Sequence, residues 1–304
     1  MDWRLLHTST GHNGALYALQ PGLEPHSFLS AGSDGWIVQW DIHAPEFGKL
    51  LATVTTQLFS LCRLPNQQKL VAGNMDGGLH WVDLIDPSQT LNVLHHKKGV
   101  FDLLAVDDYL YSVGGDGVLT RWLIETQRAV ESYQLSNQAL RTLAYAPTRK
   151  ELAIGASDGN IYLLDAETLA LRCTIQQAHT PSVFTVQYSP DEHLLFSGGR
   201  DAMLRVWEVS DVPAQLHAVP AHLFTINHLV FSPDGRLFAT ASRDKTLKIW
   251  DTASLQLLKV VDVLRYHGHI NSVNRLLWLE EGLVSCGDDR VVKIWGGDFR
   301  YPIT

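Results

Sequence analysis

The sequence predicts an all-β chain built from seven copies of a four-stranded unit, and three observations carry that prediction. Seven aspartates open a tight turn at near-constant intervals: Asp34, Asp76, Asp116, Asp158, Asp201, Asp244 and Asp289, spaced 42, 40, 42, 43, 43 and 45 residues apart. Six positions after each stands Trp40, Val82, Trp122, Leu164, Trp207, Trp250 or Trp295. The residues between alternate in character, as in Lys245-Thr246-Leu247-Lys248-Ile249-Trp250, which is the period-two mark of a strand with one buried face. Upstream, each unit carries two apolar anchors three residues apart: Leu16/Leu19, Leu58/Leu61, Val100/Leu103, Leu140/Leu143, Val183/Val186, Ile226/Leu229 and Val273/Leu276. A fixed period of about 40 residues means that neighbouring units bury each other's faces.

Taken in order, each unit opens with the strand that holds the paired anchors. Turn chemistry follows it, most clearly in Ser189-Pro190-Asp191 and Ser232-Pro233-Asp234-Gly235. A second strand leads to the turn aspartate, the alternating segment is the third, and a short run such as Leu257-Leu258-Lys259-Val260 is the fourth. No helical periodicity of useful length appears. The last unit lacks its fourth strand, because Trp295 is followed only by Gly296-Gly297-Asp298-Phe299 and a five-residue tail. Residues 2–8 precede the first repeat where other repeats hold an outer strand. Trp3-Arg4-Leu5-Leu6 is therefore expected to complete the last unit, joining the two ends and leaving no free edge.

Gly11-His12 and Gly268-His269 at repeat starts, with Trp40-Asp41 and Trp250-Asp251 at repeat ends, resemble WD repeats. The resemblance runs in register through the chain except for its last few residues. It implies a seven-bladed β-propeller of four-stranded antiparallel sheets around a central channel, with residues 1–304 forming a single propeller. It also implies a non-catalytic scaffold or adaptor that binds a protein or peptide partner.

Five repeats carry a histidine 20 or 22 residues before the turn aspartate: His12, His96, His179, His222 and His269. The same five carry a hydroxyl four residues before it, at Ser30, Ser112, Ser197, Thr240 and Ser285, and the same five carry the tryptophan. The second and fourth repeats hold Val54, Ala72 and Val82, and Ser136, Ile154 and Leu164, at those positions. Presence or absence as a set has a physical reason. Imidazole, hydroxyl and indole can chain hydrogen bonds onto the aspartate, and removing one strands a buried partner at about 1–3 kcal/mol. The resemblance points the same way, since WD repeats tie their blades with such a tetrad. A Ser-His-Asp catalytic triad is a poor reading, because the set recurs at blade period rather than converging on one substrate. His267-Gly268-His269 and His95-His96 resemble metal-ligand spacings, yet His269 and His96 belong to the repeat, so no metal site and no cofactor are expected.

Composition narrows the class further. Apolar residues make up 45% and charged residues 18%, enough to bury a large core. A net charge of −8 argues against nonspecific binding to nucleic acid or to an anionic membrane surface. Cys62, Cys173 and Cys286 are too scattered for a disulfide framework or a zinc site. The start, Met1-Asp2-Trp3-Arg4-Leu5-Leu6, does not read as a signal peptide, and no stretch is long and apolar enough for a transmembrane helix. The expectation is a cytoplasmic chain, monomeric by itself.

Two positions per repeat should reach one face and the mouth of the channel. The residue after the first anchor is Tyr17, Phe59, Phe101, Arg141, Phe184, Asn227 or Asn274. The residue before the turn aspartate is Ser33, Met75, Gly115, Ser157, Arg200, Arg243 or Asp288. Tyr17, Phe59, Phe101, Phe184, Arg141, Arg200 and Arg243 are the candidate partner-binding residues. Aromatics and arginines anchor protein interfaces, and guanidinium pairs carboxylate or phosphate bidentately. The competing expectation is that the rings plug the channel and the arginines pair with nearby acids such as Asp288. Two other functions would use the channel itself: a propeller hydrolase or lyase, or a module that recognises a small ligand. An enzyme would need acid, base or metal groups outside the repeat register converging near the axis, and the sequence displays no such cluster.

Overall fold

The structure, a computed structural model, describes residues 3–65 and 68–297. It holds seven four-stranded antiparallel sheets. Blade 1 comprises Leu16–Pro21, Ser27–Gly32, Trp36–Asp41 and Ala44–Thr53, and blade 2 comprises Leu58–Arg63, Lys69–Asn74, Gly78–Asp83 and Leu91–Leu94. Blades 3 and 4 run Val100–Val106, Tyr109–Gly114, Val118–Leu123, Arg128–Gln134 and Leu140–Ala146, Glu151–Ala156, Ile161–Asp165, Leu171–Ile175. Blades 5 and 6 run Val183–Tyr188, Leu194–Gly199, Met203–Glu208, Ala214–Pro220 and Ile226–Phe231, Leu237–Ser242, Leu247–Asp251, Leu257–Val261. Blade 7 takes Val273–Leu279, Gly282–Gly287 and Val292–Gly297 from the end of the chain and Trp3–Ser9 from its start. The fold is the seven-bladed propeller that the repeat implied.

The clasp forms as expected. Trp3–Ser9 pairs antiparallel with Val292–Gly297, from Trp3 opposite Gly297 to Ser9 opposite Val292. Trp3 is buried, and its ring meets Trp278 edge-on at 6.2 Å. The part of the tail beyond Gly297 lies outside the described residues.

The anchors and the alternating third strands fill seven apolar clusters, one between each pair of neighbouring blades. Blades 7 and 1 enclose Phe28, Trp40, Val284 and Ile294, and blades 6 and 7 enclose Leu237, Ile249, Val273 and Trp295. Burying both faces of every sheet against a neighbour makes the closed ring the stable state. The uneven repeat lengths have local causes. In blades 3 and 7 a two-residue turn joins the first two strands, whereas blades 1, 5 and 6 use five residues there. That difference produces the 20- and 22-residue histidine spacings. The long final spacing of 45 residues contains a helical turn, Val263–Tyr266, which the sequence did not announce. Asp262 caps it by accepting from the Leu264 and Arg265 amides. No helix among the described residues is long and apolar enough to cross a membrane.

Candidate interaction face

The two predicted positions of each blade are held to one face by a repeated backbone hydrogen bond. The N–H of the residue before each turn aspartate donates to the carbonyl just before the inner strand. The pairs are Ser33 to Ala15, Met75 to Gln57, Gly115 to Gly99, Ser157 to Ala139, Arg200 to Ser182, Arg243 to Thr225 and Asp288 to Ser272, at 2.7–3.0 Å.

Below that face lie the tetrads. His12, His179, His222 and His269 Nδ1 stand 2.7–2.9 Å from the carboxylates of Asp34, Asp201, Asp244 and Asp289, and His96 Nδ1 is 3.1 Å from Asp116. All five Nε2 atoms lie 2.8 Å from the hydroxyls of Ser30, Ser112, Ser197, Thr240 and Ser285. Those hydroxyls accept from the indole Nε1–H of Trp40, Trp122, Trp207, Trp250 and Trp295 at 2.8–3.0 Å. One tautomer satisfies the whole chain. The indole donates to the hydroxyl, the hydroxyl donates to Nε2, and a neutral imidazole donates its Nδ1–H to the aspartate. Burial pushes His96, His179, His222 and His269 below the ordinary histidine value and outweighs the adjacent carboxylate. Burial pushes the aspartates up, but hydrogen bonds from imidazole and backbone amides prevail and hold all five below their usual range.

The two units without a tetrad are not bare. In blade 2, Asp76 is exposed and among the described residues accepts from Thr56 Oγ1 at 3.0 Å, while Asn74 Oδ1 receives the Asp76 and Gly78 amides and ties the turn. In blade 4, Asp158 accepts from Ser136 Oγ at 2.6 Å and from Tyr162 OH at 2.7 Å. Blade 4 thus has a smaller network of its own, which the missing histidine concealed.

At the mouth, the residues after the first anchors form a continuous path. Tyr17 meets Phe59 at 5.4 Å between ring centroids, and Phe59 meets Phe101 at 5.6 Å. The Arg141 guanidinium lies 4.9 Å from the Phe101 ring and 4.7 Å from the Phe184 ring, with its Nε donating to Ser157 Oγ at 2.7 Å. All five side chains are half-buried. Asn227 and Asn274 complete the ring by donating to the next blade's backbone, at Val273 O and Leu16 O. The aromatics therefore do pack on one another. The arginines do not pair with Asp288, which instead accepts from Asn274 Nδ2 at 2.7 Å. Arg200 and Arg243 are exposed, and neither has an acidic partner among the described residues. A cavity of about 980 Å³ opens between blades 3 and 5 and is lined by Lys98, Arg141, Phe184 and Arg200. Burial, with the Arg200 charge added, presses Arg141 below its ordinary value.

One expectation is corrected. Acid and base groups do converge near the axis, one position deeper than the mouth, at the residue two past each first anchor. Arg275 Nη2 donates to Asp102 Oδ1 at 3.1 Å. These residues belong to blades 7 and 3, which are not neighbours, so the pair spans the channel. Asp102 also accepts the Leu103 and Leu143 amides, and His228 Nδ1 accepts the Leu276 amide. Burial and the Arg275 charge drive His228 well below the ordinary value. Thr185 Oγ1 accepts the Leu229 amide in the same way. Sequence reasoning missed this layer because its members differ in type from blade to blade. A charged residue inside an otherwise apolar strand, Asp102 or Arg275, was the available signal. The Asp102 carboxylate is committed to bracing.

The family model described as WD domain, G-beta repeat matches residues 3–41, 171–208, 214–251 and 259–296, together half of the chain. The unmatched stretch, 42–170, includes blade 2 and the first three strands of blade 4, which lack the tetrad, and blade 3, which has it complete. Periodic tryptophan protein 2 of Arabidopsis thaliana is 29% identical over 174 residues, covering 56% of this chain and 19% of that protein. Guanine nucleotide-binding protein subunit beta-1 of Drosophila melanogaster is 23% identical over 161 residues, covering 51% of this chain and 47% of that protein. The chain thus matches less than half the length of either relative. Among solved structures, the WD40 beta propeller domain of Doa1 superposes with a TM-score of 0.86 at 17% identity, covering 98% of each chain.

Proposed function

The chain belongs to the WD40 family, whose propellers typically serve as protein-interaction scaffolds, and from that premise we propose that it is a non-catalytic platform binding a peptide segment of a protein partner across the channel mouth. The segment carries an apolar side chain that rests on the Tyr17–Phe59–Phe101 arc and an acidic group that pairs with Arg200, Arg243 and the open edge of Arg141. The observation that carries this reading is the pair of exposed guanidiniums without acidic partners among the described residues, with Arg200 lining one cavity together with the half-buried Phe184 ring and Arg141. An arginine that has no counter-ion in the free protein and a flat aromatic surface next to it are the usual ingredients of an interface anchor.

The test is an array of peptides that pair a glutamate or aspartate with a leucine or phenylalanine at varied spacing. The wild-type protein should retain a subset, and Arg200→Glu with Arg243→Glu should lose it. Arg236→Glu, on the opposite face, should bind as the wild type does. Retention by the double variant would remove the mouth as the site.

A further inference from the structure

On the face opposite the mouth, three turns bring together residues that lie far apart in the chain. His26 sits in the turn between the first two strands of blade 1, His43 in the two-residue turn between its last two, and Glu281 in the two-residue turn of blade 7 that precedes Gly282–Gly287. The His26 and His43 rings stand 4.9 Å apart, and His26 Nδ1 is hydrogen-bonded to the Glu281 carboxylate. One ligand atom from each of the three lies within 4.8 Å of the others.

The turns are held from behind. The Ile42 amide donates to the His26 carbonyl at 2.8 Å, which locks the two histidine turns together. The His43 amide donates to Asp41 Oδ1 at 2.8 Å. Ser27 closes the His26 turn by donating its hydroxyl to Glu24 O at 2.7 Å and accepting the Glu24 amide at 3.1 Å. The three side chains are exposed or half-exposed, so small rotations bring the ligand atoms to coordination distance without moving the backbone.

We propose that His26, His43 and Glu281 form a surface site for a divalent transition metal, zinc by ligand class, that ties blade 1 to blade 7. Two imidazole nitrogens and one carboxylate oxygen suit zinc, and a water completes its fourth position. The tie falls at the seam where the ring is closed by its own two ends. The metal replaces the His26–Glu281 hydrogen bond with a link between the same two blades, 255 residues apart in sequence. It needs no contribution from the mouth and stands or falls apart from the peptide-binding reading.

Isothermal titration of the metal-free protein with zinc chloride tests the site, with cobalt(II) absorption as a second readout. One equivalent should bind, the visible spectrum should show tetrahedral or five-coordinate cobalt with nitrogen and oxygen ligands, and zinc should raise the melting temperature. His26→Ala with His43→Ala should lose the equivalent and the thermal shift, yet melt with the wild type when no metal is present. His217→Ala, a histidine away from the cluster, should change neither. Absence of stoichiometric binding by the wild type, or a full equivalent retained by the double variant, would overturn the proposal.

Discussion

At the scale of single residues, the hydrogen-bond chain from indole to hydroxyl to imidazole to aspartate explains why its members come and go together. Loss of the aspartate takes the carboxylate acceptor away from a buried Nδ1–H and from the backbone amide beside it. Asp244→Ala should cost about 3 kcal/mol, whereas Asp76→Ala, whose carboxylate is exposed, should cost about 1 kcal/mol or less. Asp158→Ala should fall between them, because Ser136 and Tyr162 lose their acceptor. Urea midpoints of the three variants measure this order, and equal losses would contradict the tetrad account. The neutral imidazoles also set a pH dependence. In the unfolded chain they protonate near about pH 6.5, while His96, His179, His222 and His269 in the fold resist protonation to lower pH. The unfolded state therefore binds more protons as pH falls, and stability drops. The turn aspartates, held low in the fold, extend the loss below about pH 4. The urea midpoint should decline from pH 7.5 to pH 5, and a flat profile would contradict the neutral relay. The tetrads were legible in the sequence because they repeat in register. The substitutes in blades 2 and 4 were not, since Asn74 and Tyr162 occupy positions that the repeat leaves unspecified.

At the scale of strands and blades, ring closure depends on a segment borrowed from the other end of the chain. Trp3–Ser9 supplies the outer strand of blade 7, and Trp3 packs beside Trp278 in the cluster between blades 6 and 7. Trp3→Ala should cost about 3 kcal/mol or more, by lost burial and by loosening the clasp. Deleting residues 1–9 should lower the melting temperature further and promote association through the exposed edge of Val292–Gly297. A deletion variant that melts with the wild type would show that the strand does not close the ring. The clasp could be read from strand counting alone, because one unit lacked an outer strand and an unassigned strand remained at the start. The helical turn Val263–Tyr266 could not, being one turn too short to display a period.

At the scale of the whole molecule, the axial pair Arg275–Asp102 joins blades that never touch through their sheets. The partners lie 173 residues apart in sequence, and the residue type at their repeat position changes from blade to blade, so neither partner announced the other. Asp102→Ala leaves the Arg275 guanidinium without its counter-ion and should cost about 3 kcal/mol, while Asp102→Leu with Arg275→Met should recover part of that loss. The bracing at the axis, the tetrads beneath the upper turns and the clasp at the seam together hold the backbone that carries the mouth residues. The mouth composition was legible as aromatic and arginine positions. That Arg141 is sandwiched between two rings, while Arg200 and Arg243 are exposed with no acidic partner among the described residues, required the fold. The measurement that bears most directly on this account is hydrogen–deuterium exchange with and without a peptide chosen from the array. The account predicts protection concentrated in the turns that carry Met75, Arg200 and Arg243 and in the strands that carry Phe59, Phe101 and Arg141. Protection confined to the opposite face, around residues 189–193 and 232–236, with the mouth unchanged, would contradict it.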